Sequence, residues 1–347
     1  MKTTIAKLAV AAAVCGTIAS AAAAETNIKV VAPWSSLNAF GKIEKPFWTE
    51  ELQQKTDGAL SASLSNYSEL GLSGEELLRL STMGVFDVAH IVVGYSVSDD
   101  PVIEGIELAG LIQDMDTARE AVDAYRPTLE TALADNHNLV YLGLYPNPSQ
   151  VMYCSQPIGG LDEFSGKKVR FYGASMNDFI EAAGGTGVGV PLAEVVPALQ
   201  RGVVDCAFTG TLTGYSFKFP EVTNSLYGLR LGWGLTLIAA NKDFWDGLSE
   251  AEQAGLKTAT NELETSLWDL ARIDDDAGIA CNTGNGECPY GEAASMTYVA
   301  PSEADEVKRK EILESAILKK WAQRCSDTCV SAWNDTVGAI TGLTASK

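Results

Sequence analysis

Lys168-Val-Arg-Phe-Tyr172 reads as a short strand whose residues alternate in and out of a pleated surface, with a guanidinium, Arg170, at its centre. A helical segment from Ser175 to Gly184 follows, then a second strand from Val188 to Pro191 and a helix over Glu194 to Arg201. The third strand, Val203-Val-Asp-Cys-Ala-Phe208, runs out into Thr209-Gly-Thr-Leu-Thr-Gly214. This β-α-β-α-β rhythm with short connections predicts a parallel sheet with functional loops at its strand ends. A cation in the middle of such a strand is unusual and needs a partner.

Far upstream, residues 1–24 carry Lys2 and Lys7, an apolar alanine-rich run from Leu8 to Ile18, and then Ser20-Ala-Ala-Ala-Ala24. A charged start, a short apolar run and small residues before a cut are the marks of a secretory signal peptide, and the run is too short to span a bilayer. Cleavage is expected after Ala24, leaving a mature chain outside the cytoplasm and not inserted in the membrane. Losing Lys2 and Lys7 moves the formal charge from −20 to −22. So acidic a chain repels nucleic acid and anionic membranes, and no basic cluster offsets the field. An anionic ligand would need a local positive site, which makes each buried arginine informative. The length beyond Ala24 suits two lobes, each with its own core.

Asn27 to Ala32 reads as the first strand and Pro33-Trp-Ser-Ser36 as the loop beyond it, followed by a helix from about Ala39 to Lys55. Trp34 in that loop is either a stacking surface for a ligand or a packed core residue, and Ser35 sits beside it. A strand over Leu60 to Leu64 leads to Tyr67-Ser-Glu-Leu-Gly-Leu72, which places Glu69 at another strand end. His90, in the strand Phe86-Asp-Val-Ala-His-Ile-Val-Val93, is one of 2 histidines. No nucleophile motif accompanies it, so its roles are a satisfied core residue or a hydrogen bond lining a pocket. A helix from Asp114 to about Asn136 should kink at Pro127, with His137 in a solvated loop after it. Leu139 to Tyr145 is a strand that Pro146-Asn-Pro-Ser149 breaks, and Gln150 to Ser155 resumes it.

Gly234 to Ala240 reads as a further strand. Ser249 and Glu252 form a capping box for a helix with Leu256, Ala259, Leu263, Leu267 and Leu270 at helical spacing, reaching Arg272 or beyond. Asp274-Asp-Asp276 at its end lacks the loop and spacing of a calcium site and reads as solvated. Apart from Cys15 in the signal, six cysteines remain, an even number in an oxidising compartment, so three disulfides are expected. Cys154 and Cys206 each fall in a predicted strand and are the preferred pair. Cys281, Cys288, Cys325 and Cys329 are left to pair among themselves, locally or crosswise. Their spacings fit a zinc site badly, and no metal or cofactor is expected.

Three ordered runs, "GKKVRFYG" (166–173), "PLAEVVPALQRGVVDCAFTG" (191–210) and "NKDFWDGLSEAEQ" (241–253), resemble the DctP-type extracytoplasmic solute-binding proteins of TRAP transporters. The resemblance is densest over about residues 160 to 250. It implies an α/β fold, a two-lobed periplasmic-binding-protein clamshell. Each lobe would be a mixed, mostly parallel sheet flanked by helices, with a long helix spanning the hinge. The expected division is 25–148 plus 237–276 for the first lobe and 149–236 plus 277–347 for the second. It also implies a periplasmic protein that is not an enzyme and that delivers a small carboxylate to integral-membrane permease subunits. The cysteine-bearing extension departs from shorter members and is expected to brace a lobe.

Chemistry alone explains Arg170 as half of an internal ion pair, with Glu194 or Asp205. The resemblance implies instead that it binds the ligand carboxylate, whose two oxygens match two parallel guanidinium donors. Many members place an asparagine after the last of these strands; here Thr209, Gly210 and Thr211 stand, offering hydroxyls and glycine amides. Near Gln150, where some members carry a second arginine, there is none. One carboxylate on an otherwise neutral or apolar ligand follows, such as an aromatic or branched 2-oxo or 2-hydroxy acid. Trp34, Tyr95, Tyr145, Tyr172 and Trp233 lie near strand ends, where such a fold binds ligands. The rival readings are a sensor's ligand-binding subunit and a secreted hydrolase or lyase, but the chain holds no Gly-x-Ser-x-Gly elbow or His-Glu-x-x-His motif.

Overall fold

Among the described residues, the apolar and β-branched runs of the sequence form ten strands: β1 (Thr26–Ala32), β2 (Leu60–Asn66), β3 (Val88–Val92), β4 (Leu139–Cys154), β5 (Lys168–Phe171), β6 (Thr186–Gly189), β7 (Cys206–Gly210), β8 (Ser225–Tyr227), β9 (Trp233–Asn241) and β10 (Thr297–Val299). The computed structural model describes residues 25–96 and 100–347. The signal-peptide reading of residues 1–24 lies outside them. The strand order is β2-β1-β3-β9-β4-β7-β5-β6, with β8 against β4 and β10 against β8.

β4 belongs to both halves of this arrangement. Over Leu139–Ser149 it pairs antiparallel with β9, and over Gln150–Cys154 it pairs antiparallel with β7. The changeover coincides with Pro146 and Pro148, which have no N–H to give to a ladder, and the register shifts between Pro146 and Ser149. The expected break is therefore a single bent strand. It carries the chain from a first lobe, built on β2-β1-β3-β9, to a second, built on β7-β5-β6. β9 lies antiparallel between β3 and β4, while β1, β2 and β3 are parallel to one another. Within the second lobe β5 lies between β6 and β7, both parallel to it, with Arg170 opposite Val188 and Ala207.

A helix of 34 residues, Glu250–Thr283, runs against both lobes, packing on β4 and on the short helix Thr211–Ser216 of the second. The capping box of Ser249 and Glu252 starts it, and Gly284, with φ of 73°, ends it in the left-handed conformation that glycine adopts without strain. The helix Met115–His137 continues through Pro127. Its last residue, His137, is not solvated: Nε2 lies 3.0 Å from Asp100 Oδ2. Asp274 and Asp275 are also buried rather than solvated. Asp274 accepts from Asn38 and from the Tyr290 hydroxyl at 2.8 and 2.6 Å, and only Asp276 of the triplet is exposed.

Three disulfides close as Cys154–Cys206, Cys281–Cys288 and Cys325–Cys329. The first joins residues directly opposite each other on β4 and β7, and the other two are local. Helices between Glu303 and Thr341 touch both lobes. Lys320 and Arg324 bind Asp178 of the helix Ala174–Ala182, whereas the Trp321 and Trp333 indoles donate to the carbonyls of Pro101 and Gly105. Among the described residues no helix is long and apolar enough to cross a membrane.

Candidate functional site

Arg170 occupies the third position of β5, held between two parallel neighbours, and is 1% exposed. Its Nε donates to the Val190 carbonyl at 2.8 Å, Nη1 to the Phe208 carbonyl at 2.8 Å, and Nη2 to the Tyr95 hydroxyl at 3.1 Å. A guanidinium has five N–H donors, so one hydrogen on each terminal nitrogen is left over. Among the described residues no carboxylate oxygen lies within 4.0 Å of it. Glu194 is exposed, and Asp205 instead accepts the Lys168 N–H at the opposite end of the strand. A buried, unpaired cation is costly, and the cost is relieved by an anion brought to it.

The cavity beside Arg170 has a volume of about 410 Å³, part of it continuous with solvent. Both lobes build it. Trp34 and Tyr95 follow β1 and β3 of the first, Tyr172, Thr209 and Gly210 end β5 and β7 of the second, and Gln150 lies just past the changeover in β4. Parallel strands present their C-terminal ends together, so the loops after β1, β3, β5 and β7 converge here. The aromatic wall is continuous. Trp34 stands edge-on to Tyr67 at 5.0 Å and to Tyr95 at 6.2 Å; Tyr95 is 5.6 Å from Tyr172, whose ring centre is 5.2 Å from the Arg170 guanidinium. Tyr172 fits only because Gly94 and Gly234 lack side chains: a Cβ at Gly94 would come 2.3 Å from its ring, and one at Gly234 2.9 Å from its hydroxyl.

Burial pushes the Tyr95 phenol up, partly opposed by Arg170, and pushes Tyr172 up further, with Glu107 adding to the effect. Both are therefore neutral hydroxyls that can donate as well as accept. Among the described residues, Arg170 is the only charged one on the cavity wall, which otherwise carries aromatic rings, amides, the hydroxyls of Thr209 and Thr213, and the side chains of Leu37, Val92 and Leu192. The wall can hold one anionic group at Arg170 and a compact, largely apolar remainder against the rings.

Other residues singled out from sequence lie elsewhere. Ser35 is exposed, and Glu69 is exposed with its carboxylate accepting the Asn66 N–H in a helix cap. Thr211 faces the long helix, donating to Asp275 Oδ1 at 3.1 Å. Trp233 is buried against two smaller cavities behind the cleft. His90 is sealed in a polar network of the first lobe. Its Nε2 accepts from the Trp48 indole at 2.9 Å, which leaves Nδ1 as the protonated nitrogen, 3.2 Å from Glu44 Oε1 and 3.0 Å from the Tyr145 hydroxyl. The Tyr145 hydroxyl itself donates to Glu44, and the His90 carbonyl accepts from Tyr67. The network thus reaches the cleft indirectly, by fixing the Tyr67 ring beneath Trp34.

Sequence reasoning passed over Leu37, Val92, Asn147, Leu192, Thr213 and Gly234. Asn147 carried a signal, its place between two prolines at a strand break. Its amide donates to the Gly234 carbonyl and to Thr236, stitching β4 to β9 at the cleft floor.

Residues 36–278 match the DctP model, bacterial extracellular solute-binding protein, family 7. The ectoine-binding periplasmic protein TeaA of Halomonas elongata is 28% identical over 199 residues, 56% of this chain and 58% of that relative, so the match spans less than two thirds of its length. The C4-dicarboxylate-binding periplasmic protein DctP of Rhodobacter capsulatus is 23% identical over 253 residues, 72% of this chain and 76% of the relative. Among solved structures, DctP6, a Bordetella pertussis extracytoplasmic solute receptor binding pyroglutamic acid, is similar with a TM-score of 0.81 at 22% identity, covering 90% of this chain and 100% of that one. At that identity the likeness shows the two-lobed fold.

Proposed function

Because this chain belongs to the bacterial extracellular solute-binding proteins of family 7, we propose that it captures a small organic acid in the periplasm and hands it to the membrane subunits of a TRAP permease. Members of the family are solute-binding proteins and not enzymes. Arg170 carries the reading: it is buried, lacks a carboxylate partner among the described residues, and faces a cavity between two lobes. A ligand carboxylate would take the two free N–H donors in parallel, a charge-assisted contact worth roughly 1.5 to 3 kcal/mol. Closure of the lobes would exclude water and commit the ligand.

The ligand class is a monocarboxylate with a neutral or apolar body. With Arg170 the only charged residue on the wall among the described residues, a second carboxylate would be buried without a cation. The rings of Trp34, Tyr95 and Tyr172 favour a flat or branched body. Pyroglutamic acid, named for the similar Bordetella receptor, is a compact ring with one carboxyl group and fits this description; a C4-dicarboxylate does not.

The test is a thermal-shift screen of residues 25–347 against pyroglutamate, ectoine, succinate, galacturonate and phenylpyruvate, repeated with Arg170→Ala. A ligand at one hundred times its Kd raises stability by about 2.7 kcal/mol, a shift of several degrees. A monocarboxylate that shifts the wild type and leaves the variant unmoved is expected. A variant that responds as well as the wild type would move the site away from Arg170, and a response to succinate alone would overturn the monocarboxylate assignment.

A further inference from the structure

Two carboxyl groups on the segment between β3 and the helix Met115–His137 face the second lobe, and neither lies on the wall of the ligand cavity. Glu104 is answered by a cation: Arg324 Nη2 lies 2.7 Å from Oε2, and the Ser175 N–H donates to Oε1 at 2.7 Å. Glu107 is not. Its Oε1 accepts from the Tyr172 hydroxyl at 3.0 Å and its Oε2 from the Leu235 N–H at 2.7 Å, and among the described residues no cationic nitrogen lies within 4.0 Å. Among the described residues, no element packed around it turns a cation to it. Its own segment offers Glu104, the end of β5 offers the neutral Tyr172, and the start of β9 offers an amide. Arg230, the nearby cation before β9, is turned to Asp275 at 2.9 Å.

Tyr172 is thereby held from both sides. One side of its ring faces the Arg170 guanidinium, and its hydroxyl reaches across to the opposite lobe. Gln150 and Tyr172 line both the ligand cavity and a second, narrow space that Glu107 borders.

We propose that Glu107 is a positioning residue for ligand capture: bridging the lobes, it holds Tyr172 against Arg170 in the closed cleft, and it does so as a neutral carboxyl group, so that closure around an anion takes up a proton. The inference rests on the reading that this cleft captures an organic anion. The two hydrogen bonds that Glu107 accepts favour the carboxylate, burial without a cation opposes them, and the geometry accommodates the neutral form. Protonated on Oε1, Glu107 gives its hydrogen to the Tyr172 oxygen while Oε2 still accepts from Leu235. Burial, with Glu104 adding to it, pushes the Glu107 carboxyl up to about 8, against the two hydrogen bonds that it accepts. In an open, hydrated cleft the same carboxyl returns toward its ordinary value near 4.5 and ionises.

The closed state binds more protons than the open one from about pH 5 to about pH 8, so affinity falls with rising pH through that window, by at most about tenfold per unit, and levels off above it. Calorimetric titration of residues 25–347 with pyroglutamate, in two buffers of different ionisation enthalpy, should show uptake of up to one proton at neutral pH. Glu107→Gln mimics the neutral carboxyl and should bind with a flat pH profile and no proton uptake. Tyr172→Phe should lose affinity and be indifferent to a further Glu107→Gln. Uptake of no proton by the wild type, or a wild-type pH profile in Glu107→Gln, overturns the proposal. A wild type that ignores pyroglutamate counts against that acid as the ligand, and the same titration with the acid that shifts the wild type in the thermal screen then decides.

Discussion

Asp275, on the long helix, takes both the backbone N–H and the hydroxyl of Ser149 on one carboxylate oxygen, at 2.9 and 2.6 Å. Ser149 is the last residue of β4 paired with β9, before the strand turns to the second lobe. The same oxygen accepts from Thr211 of the second lobe at 3.1 Å, and the other pairs with Arg230 at 2.9 Å. One carboxylate therefore binds the crossing strand, the second lobe and the helix that spans both.

Asp275→Ala strands the buried N–H and hydroxyl of Ser149, leaves the Thr211 hydroxyl only the carbonyl of residue 275, and releases Arg230, which is about one-third exposed and so contributes less than a sealed cation. The expected loss is about 2–4 kcal/mol, read as a lower midpoint in urea unfolding. Asp275→Asn keeps an acceptor oxygen and should lose less. Equal stability of the alanine variant and the wild type would show that the crossing strand needs no such tie.

Arg170→Lys keeps the charge but not the parallel pair of donors. The lysine ammonium cannot serve Val190, Phe208 and Tyr95 and also meet two carboxylate oxygens. Affinity for the acid found in the thermal screen should fall by about tenfold to a hundredfold, corresponding to the roughly 1.5–3 kcal/mol of a charge-assisted contact. Calorimetry of the two proteins measures this directly; matching affinities would mean that the carboxylate is held elsewhere.

What could be read in the chain was what short-range chemistry decides. The β5-β6-β7 rhythm and the capping box at Ser249 and Glu252 are local patterns, and each takes its expected form. Groups whose role depends on a distant partner were not legible. Asp275 read as solvated because its neighbours in sequence are acidic, yet its partners are Ser149, Thr211 and Arg230. Nothing around Glu107 in the run Ile106-Glu-Leu108 announces a tyrosine from the other lobe. β4 read as two strands because proline removes ladder donors, but the loss of two donors bends a strand without ending it when Asn147 and Ser149 find partners beside it.

Loss of the three disulfides should rank by the chain each one closes. Cys154–Cys206 spans 52 residues, against 7 for Cys281–Cys288 and 4 for Cys325–Cys329. The chain-entropy model gives about 4 kcal/mol for the first and about 2 kcal/mol for each of the others. Paired Cys→Ser variants, compared by Tm under non-reducing conditions, should therefore place the β4–β7 bridge first. A larger loss from the 325–329 pair would point to a role beyond loop closure, in the helices that touch both lobes.

Asp100 offers a pH test with a definite sign. Burial works to raise its carboxyl, but hydrogen bonds from His137, Asn136 and the Val102 N–H outweigh it and hold the group below its ordinary value. The folded state thus favours the ionised form. Its contribution is full above the unfolded value near 3.8 and is lost as pH falls through the lower folded value. Asp100→Asn should cost about 1–3 kcal/mol at pH 7, since three donors lose a charged acceptor. The gap between wild type and variant should narrow as pH drops below about 4, and urea unfolding at pH 7, 4.5 and 3 would follow it. A gap that stays constant down to pH 3 would show that the ionised carboxylate adds nothing beyond what the amide supplies.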